Sequence, residues 1–457
     1  MASKVAVIAA PLDRPETRAG VIWLGLFAVA AITLVGLFVR VKDLPLATVS
    51  LSIDEARLAL VAQGIQEHGW PVLPSGKVYT RGLPVALSMV PSLDILGRSD
   101  FAARLPSALF GALVVPVVAL HAGRMGGLAA AVIVAVLVAL YPPLISWSRQ
   151  AWLFSLFVLL WMLTLLGLDM ALTRRSSPAL MLAAIATALG LLTHELFLTL
   201  LPCWLLALMV TSRQAEGRRE ALGSLLPPFV IVVLGLAALS SFTLTHRADT
   251  LAGRMSEVHE YLTFNTDLAS FRFYGRMLTD RYWLLLIAAI AALVLRREPR
   301  RLMLLVAIIP LFVVDSFVLP DRPQDRYGLA LVPPMMLLAA VGLNDVAAIA
   351  RHRFPGSLGL IVTLALLMGV PLLHLDFAGV ARRMDVSHLG STWLPDLERI
   401  GYLPGDVVMT DIPTVTQEYL GKTDYWLVSR EYEKYAYMPD GQLREIHTNA
   451  RLIRSVS

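Results

Sequence analysis

The 457-residue chain is 57% hydrophobic and 16% charged, with a mean hydropathy of +0.67, whereas ordinary soluble domains carry roughly 25% charged residues. That excludes a soluble globule. The net charge of +5 does not point to nucleic acid, because the cations sit in short loops between apolar blocks, the distribution that membrane insertion selects.

The N-terminal stretch Met1 to Gly20 contains Pro11 and Pro15 and lacks a cleavage-site pattern after the first apolar block. That block therefore reads as a retained signal anchor. In chain order, apolar spans are expected at 21–39, 105–122, 128–147, 152–172, 178–193, 196–212, 222–244, 282–295, 302–319, 327–350 and 358–375, most of them near the length of about 20 residues that crosses a hydrocarbon core. The stretch Gly82 to Gly97 is apolar but short and carries Pro84, Pro91 and Asp94. The positive-inside rule decides its fate. If it stays outside, Arg124, Arg174, Arg175, Arg213, Arg218, Arg219, Arg296, Arg297, Arg300, Arg301, Arg351 and Arg353 all fall in cytoplasmic loops. If it crosses, the bias inverts. Eleven helices with an inside N-terminus follow.

The fold class is then an all-α polytopic membrane protein with a small α/β lobe. Residues 1–376 form the membrane domain, with a long first extracytoplasmic loop at 40–104 that holds interfacial helices. Residues 377–457 form an extracytoplasmic lobe. In that lobe Val407 to Thr410 and Tyr425 to Val428 read as strands, and Thr414 with Gln417 three residues later reads as the capping box of a short helix. Cys203 is the single cysteine and lies inside an apolar block, so one chain builds neither a disulfide nor a cysteine-based metal site. No Gly-x-x-x-x-Gly-Lys-Ser/Thr phosphate loop occurs. Any chemistry is expected on the extracytoplasmic side, where nucleotide sugars and ATP are absent.

The polar residues on that side are few. Asp54 and Glu55 follow the first span; Tyr79 and Arg81 stand in the first loop; Arg149 follows Ser146-Trp147-Ser148; His194 and Glu195 occupy a turn between spans; Asp325-Arg326-Tyr327 precede a late span. An acidic pair at a membrane surface is costly unless hydrated, paired or functional. The plain readings stand beside the functional ones: a solvated helix start for Asp54 and Glu55, snorkelling span ends for Arg149 and Arg326, a satisfied turn residue for His194. Asp321, Asp325 and His259 lack metal-ligand spacing, so a divalent metal is unsupported. Trp147, Trp152, Tyr274, Tyr282 and Trp283 read as interface-belt aromatics.

The acidic pair after the first helix, the step Tyr79-x-Arg81-x-Leu83-Pro84, the start Arg104-Leu105-Pro106-Ser107-Ala108, Ser148-Arg149-x-Ala151, the turn at His194 and the Arg326-Tyr327 entry resemble the bacterial protein-mannosyltransferase-like (glycosyltransferase family 39) and aminoarabinose-transferase-like superfamily. These are enzymes of the GT-C fold. Arg81-Gly82-Leu83-Pro84 stands where aminoarabinose transferases have Lys-Pro-Pro-Leu, and Trp152 where relatives often have Arg or Asp. The resemblance implies a glycosyltransferase of the bacterial inner membrane. It would take a hexosyl or pentosyl unit from a polyprenyl-phosphate donor and give it to a hydroxyl of a protein, lipid or glycan. Asp54 would be the general base, with Glu55 as neighbour. Arg81, Arg149, Arg326 and Tyr327 would hold the donor phosphate, with Tyr79, His194 and Glu195 in support. Such a donor leaves as a phosphate anion, so the site needs a base and cations but no acid at the leaving oxygen. A single displacement inverts the anomeric centre. A secondary transporter and a non-catalytic envelope-assembly protein are the competing readings. The transporter would show inverted repeats and midplane charges, and neither is seen in the sequence.

Overall fold

The computed structural model describes residues 15–44, 51–174, 176–214, 230–232, 234, 268–280, 282–318, 324–354, 356–384, 402–403, 405–428, 436–437, 442–445 and 447–454. Helix α1 (Pro15–Val41) turns Trp23, Phe27, Leu34 and Phe38 outward, which suits a helix bathed in lipid. Helices α2 (Ile53–His68) and α3 (Leu83–Leu96) follow. With 14 residues, α3 is about 21 Å long and falls short of the hydrocarbon thickness.

Helix α4 runs Asp100–Ala139 but breaks at Gly127, where φ is 78° and ψ is −172°. Only glycine adopts that backbone without strain. The two expected spans 105–122 and 128–147 are two helical limbs that fold back on each other at this turn: Val115 of the first and Ala139 of the second both lie against Gly36. The second limb stops at Ala139, and Pro142 starts a separate short helix, α5 (Pro142–Ser148). Next come α6 (Phe154–Arg174), α7 (Ser177–Thr193), a 3-10 turn Glu195–Leu200 and α8 (Leu201–Gln214). Helices α9 (Ala269–Thr279) and α10 (Trp283–Leu295) meet at 84°. They are followed by α11 (Pro299–Phe317), α12 (Val332–Arg353), α13 (Ser357–Leu364), a π turn Ala365–Gly369, α14 (Val370–Leu373) and α15 (Phe377–Met384).

Eleven spans were expected. Among the described residues five helical stretches are long and apolar enough to cross a membrane, or six if the bent pair α9 and α10 is one span. Part of the difference is nominal, because the single stretch Asp100–Ala139 holds both spans that meet at Gly127; the 3-10 turn also shortens the helix after His194. The expected span 222–244 lies outside the described residues except for 230–232 and 234. In the core, α6 buries Phe157, Trp161 and Leu165 completely or nearly so, and α12 buries residues on every side from Val332 to Leu343. A helix apolar all round belongs at the centre of a bundle.

The C-terminal part holds a five-stranded sheet in the order β1-β2-β5-β4-β3, from β1 (Met409–Thr410), β2 (Tyr425–Val428), β3 (Ala436–Tyr437), β4 (Arg444–Glu445) and β5 (Arg451–Arg454). Strand β1 runs parallel to β2 and β2 to β5, whereas β4 is antiparallel to both of its neighbours. Helix α16 (Pro413–Leu420) crosses from β1 to β2 and ends at Gly421, with φ 69°. Its start differs from the expected capping box. Pro413 takes the first turn, Ile412 is the cap residue without a side-chain bond, and Thr414 lies inside the helix. Proline suits that first position because its missing N–H would have no helical partner.

Two features bring the first loop to its place. Val72 and Val78 bridge in antiparallel fashion, and the Tyr79 N–H bonds the Pro71 carbonyl at 2.8 Å. A Cβ at Gly64 would stand 2.0 Å from the Val72 carbonyl oxygen. Glycine at this point of α2 therefore admits the hairpin that presents Tyr79 and Arg81.

Candidate active site

Helix α2 starts where it does because Ser52 and Glu55 cap each other. The Ser52 hydroxyl accepts from the Glu55 N–H at 3.4 Å, and Glu55 Oε2 accepts from the Ser52 N–H at 2.9 Å. This reciprocal cap satisfies two orphan donors and sets Asp54 in the first turn. Asp54 is the half-open member of the acidic pair, its side chain 36% exposed. Its Oδ1 accepts from Arg57 Nη1 at 3.3 Å and its Oδ2 from Arg326 Nη1 at 3.1 Å.

Arg326 arrives from a segment far along the chain, one residue before a 3-10 turn Tyr327–Ala330. Its guanidinium carbon lies 5.2 Å from the centre of the Tyr327 ring and 5.9 Å from the rings of Trp147 and Phe154. Ring faces attract a cation at such distances. Trp147 is itself fixed by a 3.2 Å bond from its indole N–H to Asp325 Oδ1. Arg57 in turn lies 5.8 Å from the Tyr79 ring centre.

The second cation is Arg81. Its Nη2 lies 2.8 Å from His194 Nε2 and donates to Glu195 Oε1 at 3.3 Å. Burial acts to lower the Arg81 pKa, but the charges of Glu195 first, then Tyr79, Tyr327 and Asp54, raise it above its ordinary value. His194 is enclosed by Phe154, Phe157 and Tyr327, with ring centres 5.8 to 6.3 Å away, and its Nδ1 accepts from the Leu196 N–H. Burial pushes its pKa down to about 3; Glu195 opposes the shift while Arg81 and Arg326 add to it. The imidazole is neutral at physiological pH, and the positive charge of the site resides on guanidiniums.

Asp54, Tyr79, Arg81, His194, Glu195, Arg326 and Tyr327 thus share one neighbourhood. Arg149 does not join it. Its Nη1 bonds the carbonyls of Val39, Arg40 and Lys42 at 3.2, 3.2 and 2.7 Å, the open end of α1, where a cation satisfies orphan carbonyls. The guanidinium expected to clamp phosphate is here engaged by backbone carbonyls. Glu55 departs from its expected role too. It is 3% exposed, and it accepts from Arg104 Nε at 2.9 Å, Arg104 Nη2 at 3.3 Å and the Ala151 N–H at 2.8 Å. Burial raises its pKa, but Arg104 and the backbone bonds outweigh burial and hold it below the ordinary value. It joins α2, α4 and the turn after α5. Asp321 and His259 lie outside the described residues, and among the described residues no three His, Cys, Asp or Glu side chains converge as a metal site.

The sequence model of the dolichyl-phosphate-mannose-protein mannosyltransferase family matches residues 85–244, less than half of the chain. The whole structure is similar to the crystal structure of ArnT from Cupriavidus metallidurans bound to undecaprenyl phosphate. That match has a TM-score of 0.63 and 18% identity, covering 90% of this chain and 86% of that one. This chain has the GT-C glycosyltransferase fold. The GT-C likeness extends to the Archaeoglobus fulgidus oligosaccharyltransferase tethered with an acceptor peptide, with TM-score 0.58 and 12% identity over 94% of this chain and 63% of that one. It also extends to arabinosyltransferase EmbB from Mycobacterium smegmatis, with TM-score 0.52 and 13% identity over 90% of this chain and 44% of that one. No curated protein sequence matches. Like these GT-C proteins, the chain is a multi-pass membrane protein.

Within this GT-C frame, Arg57 and Phe154 near the centre were not singled out from sequence, and Trp147 reads there only as an interface-belt aromatic. Arg57 had a signal, since it stands three residues after Asp54, a spacing that faces two side chains on a helix. Trp147 and Phe154 had none beyond their aromatic character, which fits a lipid interface equally well.

Proposed function

We propose that this GT-C chain is a glycosyltransferase of the bacterial inner membrane that moves a sugar from a polyprenyl-phosphate donor to an extracytoplasmic hydroxyl, inverting the anomeric centre. The observation that carries this reading is Asp54, half exposed, with the guanidiniums of Arg57 and Arg326 on its two oxygens and Arg81 close enough to feel its charge. A base next to cations is what this displacement requires. The acceptor oxygen attacks the anomeric carbon and its proton passes to Asp54. The bond from the anomeric carbon to the phosphate oxygen breaks, and its electron pair stays on the departing polyprenyl phosphate. Arg326 and Arg81 receive that charge; guanidiniums stay ionised and match phosphate oxygens two at a time.

Two further observations support the donor class. The GT-C neighbour from Cupriavidus metallidurans was crystallised with undecaprenyl phosphate. An open, shallow depression of about 430 Å³ between α1 and α4, lined by Leu34, Leu37, Phe38, Val41, Leu105 and Leu109 with Lys42 at its rim, presents apolar surface of the kind a prenyl chain lies against. The basic character of the opposite loops supports an extracytoplasmic site under the positive-inside rule.

The test is transfer from a panel of radiolabelled polyprenyl-phosphate sugars by the purified protein. Wild type is expected to consume one of them. Asp54→Asn is expected to lose about 100-fold or more in rate, the usual worth of a general base. Undiminished transfer by Asp54→Asn would remove Asp54 from this role.

A further inference from the structure

The two guanidiniums on Asp54 are held in different ways. Arg57 belongs to the same helix, three residues on, and its place beside Asp54 follows from helical spacing; its guanidinium is also seated on the Tyr79 ring. Arg326 reaches Asp54 from 272 residues away through one N–H at 3.1 Å. Three aromatic rings surround it, and planar guanidiniums stack on such surfaces, so it can swing and keep that support. The Nε of each arginine is buried and has no hydrogen-bond partner. Asp54 therefore has one cation fixed by its own helix and one contributed by a distant segment. With Arg326 on Oδ2, a guanidinium stands where an acceptor hydroxyl must approach.

We propose that the donor unlocks the base: its phosphate draws Arg326 away from Asp54 Oδ2, while Arg57 remains on Oδ1 and holds the freed carboxylate toward the acceptor. The inference rests on the reading of the donor as a polyprenyl phosphate. Arg326 exchanges a single contact to a carboxylate for paired contacts to phosphate oxygens, with Arg81 beside it as the second cation. Arg57 is then a positioning residue. Donor binds before acceptor, and the base is exposed only when a leaving group is in place, which protects the protein from idle proton transfer in the empty state.

The experiment is equilibrium binding of radiolabelled farnesyl phosphate to the full chain in detergent, for wild type, Asp54→Asn, Arg326→Ala and the double variant. Asp54→Asn frees Arg326, so it is expected to bind about fivefold tighter than wild type, the equivalent of releasing a part-exposed ion pair. In the Arg326→Ala background the same substitution is expected to change affinity less than about twofold. An equal gain in both backgrounds would mean simple charge repulsion and would overturn the unlocking, as would no gain in either. If farnesyl phosphate binds wild type yet shows no gain that depends on Arg326, the unlocking alone fails. If it binds none of the four proteins, the donor class fails with it. For Arg57, Arg57→Ala is expected to keep farnesyl phosphate affinity within about twofold while kcat for transfer falls, and Arg57→Lys to restore part of that rate. Loss of farnesyl phosphate affinity in Arg57→Ala equal to that in Arg326→Ala would overturn the division between them.

Discussion

Asp54 and Glu55 are adjacent carboxylates with opposite fates. Successive residues on a helix point about 100° apart, so one helix start sends Asp54 toward Arg326 and Glu55 into the joint with Arg104 and the Ala151 N–H. The sequence makes the acidic pair conspicuous but does not reveal this division, because Arg104 and Ala151 reach Glu55 only through the packing of α4 and the turn after α5. Arg149 is misleading for the same reason: a cation beside a span end looks like a phosphate ligand until the carbonyls of Val39, Arg40 and Lys42 are seen around it. Glu55→Gln removes the hydrogen-bonded counter-ion of the buried Arg104 and leaves it only the more weakly placed charge of Asp100. The expected result is a loss of about 3 kcal/mol of stability, measured by unfolding of the detergent-solubilised protein. Asp54→Asn is expected to unfold close to wild type. Equal losses in the two variants would contradict the division of labour.

Helix α16 ties the C-terminal sheet to the first loop. Gln63 Nε2 donates to Glu418 Oε1 at 2.8 Å, and the Tyr419 hydroxyl accepts from the Leu51 N–H and donates to Asp100 Oδ2, both at 2.7 Å. Burial, and then the nearby Asp100 charge, push the Glu418 pKa up to about 7, against a hydrogen bond from Gln63 and the charge of Arg98. A carboxyl raised in the folded state holds its proton longer than in the unfolded chain. Its contribution is therefore full below the ordinary value near 4.5 and is lost as pH rises toward 7. Hydrogen exchange across 413–420 should quicken between pH 4.5 and 7 by more in wild type than in Glu418→Gln. Identical pH profiles in the two proteins would show that Glu418 is not the group responsible. Parts of this element were readable beforehand. Apolar runs marked β1 and β2, and Thr414 with Gln417 marked a short helix at α16, though not its start. Strands β3 to β5 were not readable, because β3 and β4 have two residues each and β5 is a four-residue run with arginine at both ends.

Across the whole molecule, hydropathy revealed the membrane class, most helix positions and the turns near Gly127 and His194, but not the break at Leu140 and Tyr141 inside the expected span 128–147. Orientation rests on the basic loops, and cysteine labelling checks it. In a Cys203→Ala background, a membrane-impermeant maleimide is expected to label Ser75→Cys in intact cells and Gln214→Cys only after lysis. The reverse pattern would invert the topology and place the site in the cytoplasm. The most direct test of the account is an experimental structure of the full chain with a polyprenyl phosphate bound. The phosphate is expected between Arg81 and Arg326, with Asp54 at its edge and the prenyl chain leading into lipid. A phosphate bound elsewhere, with Arg326 still on Asp54, would contradict it.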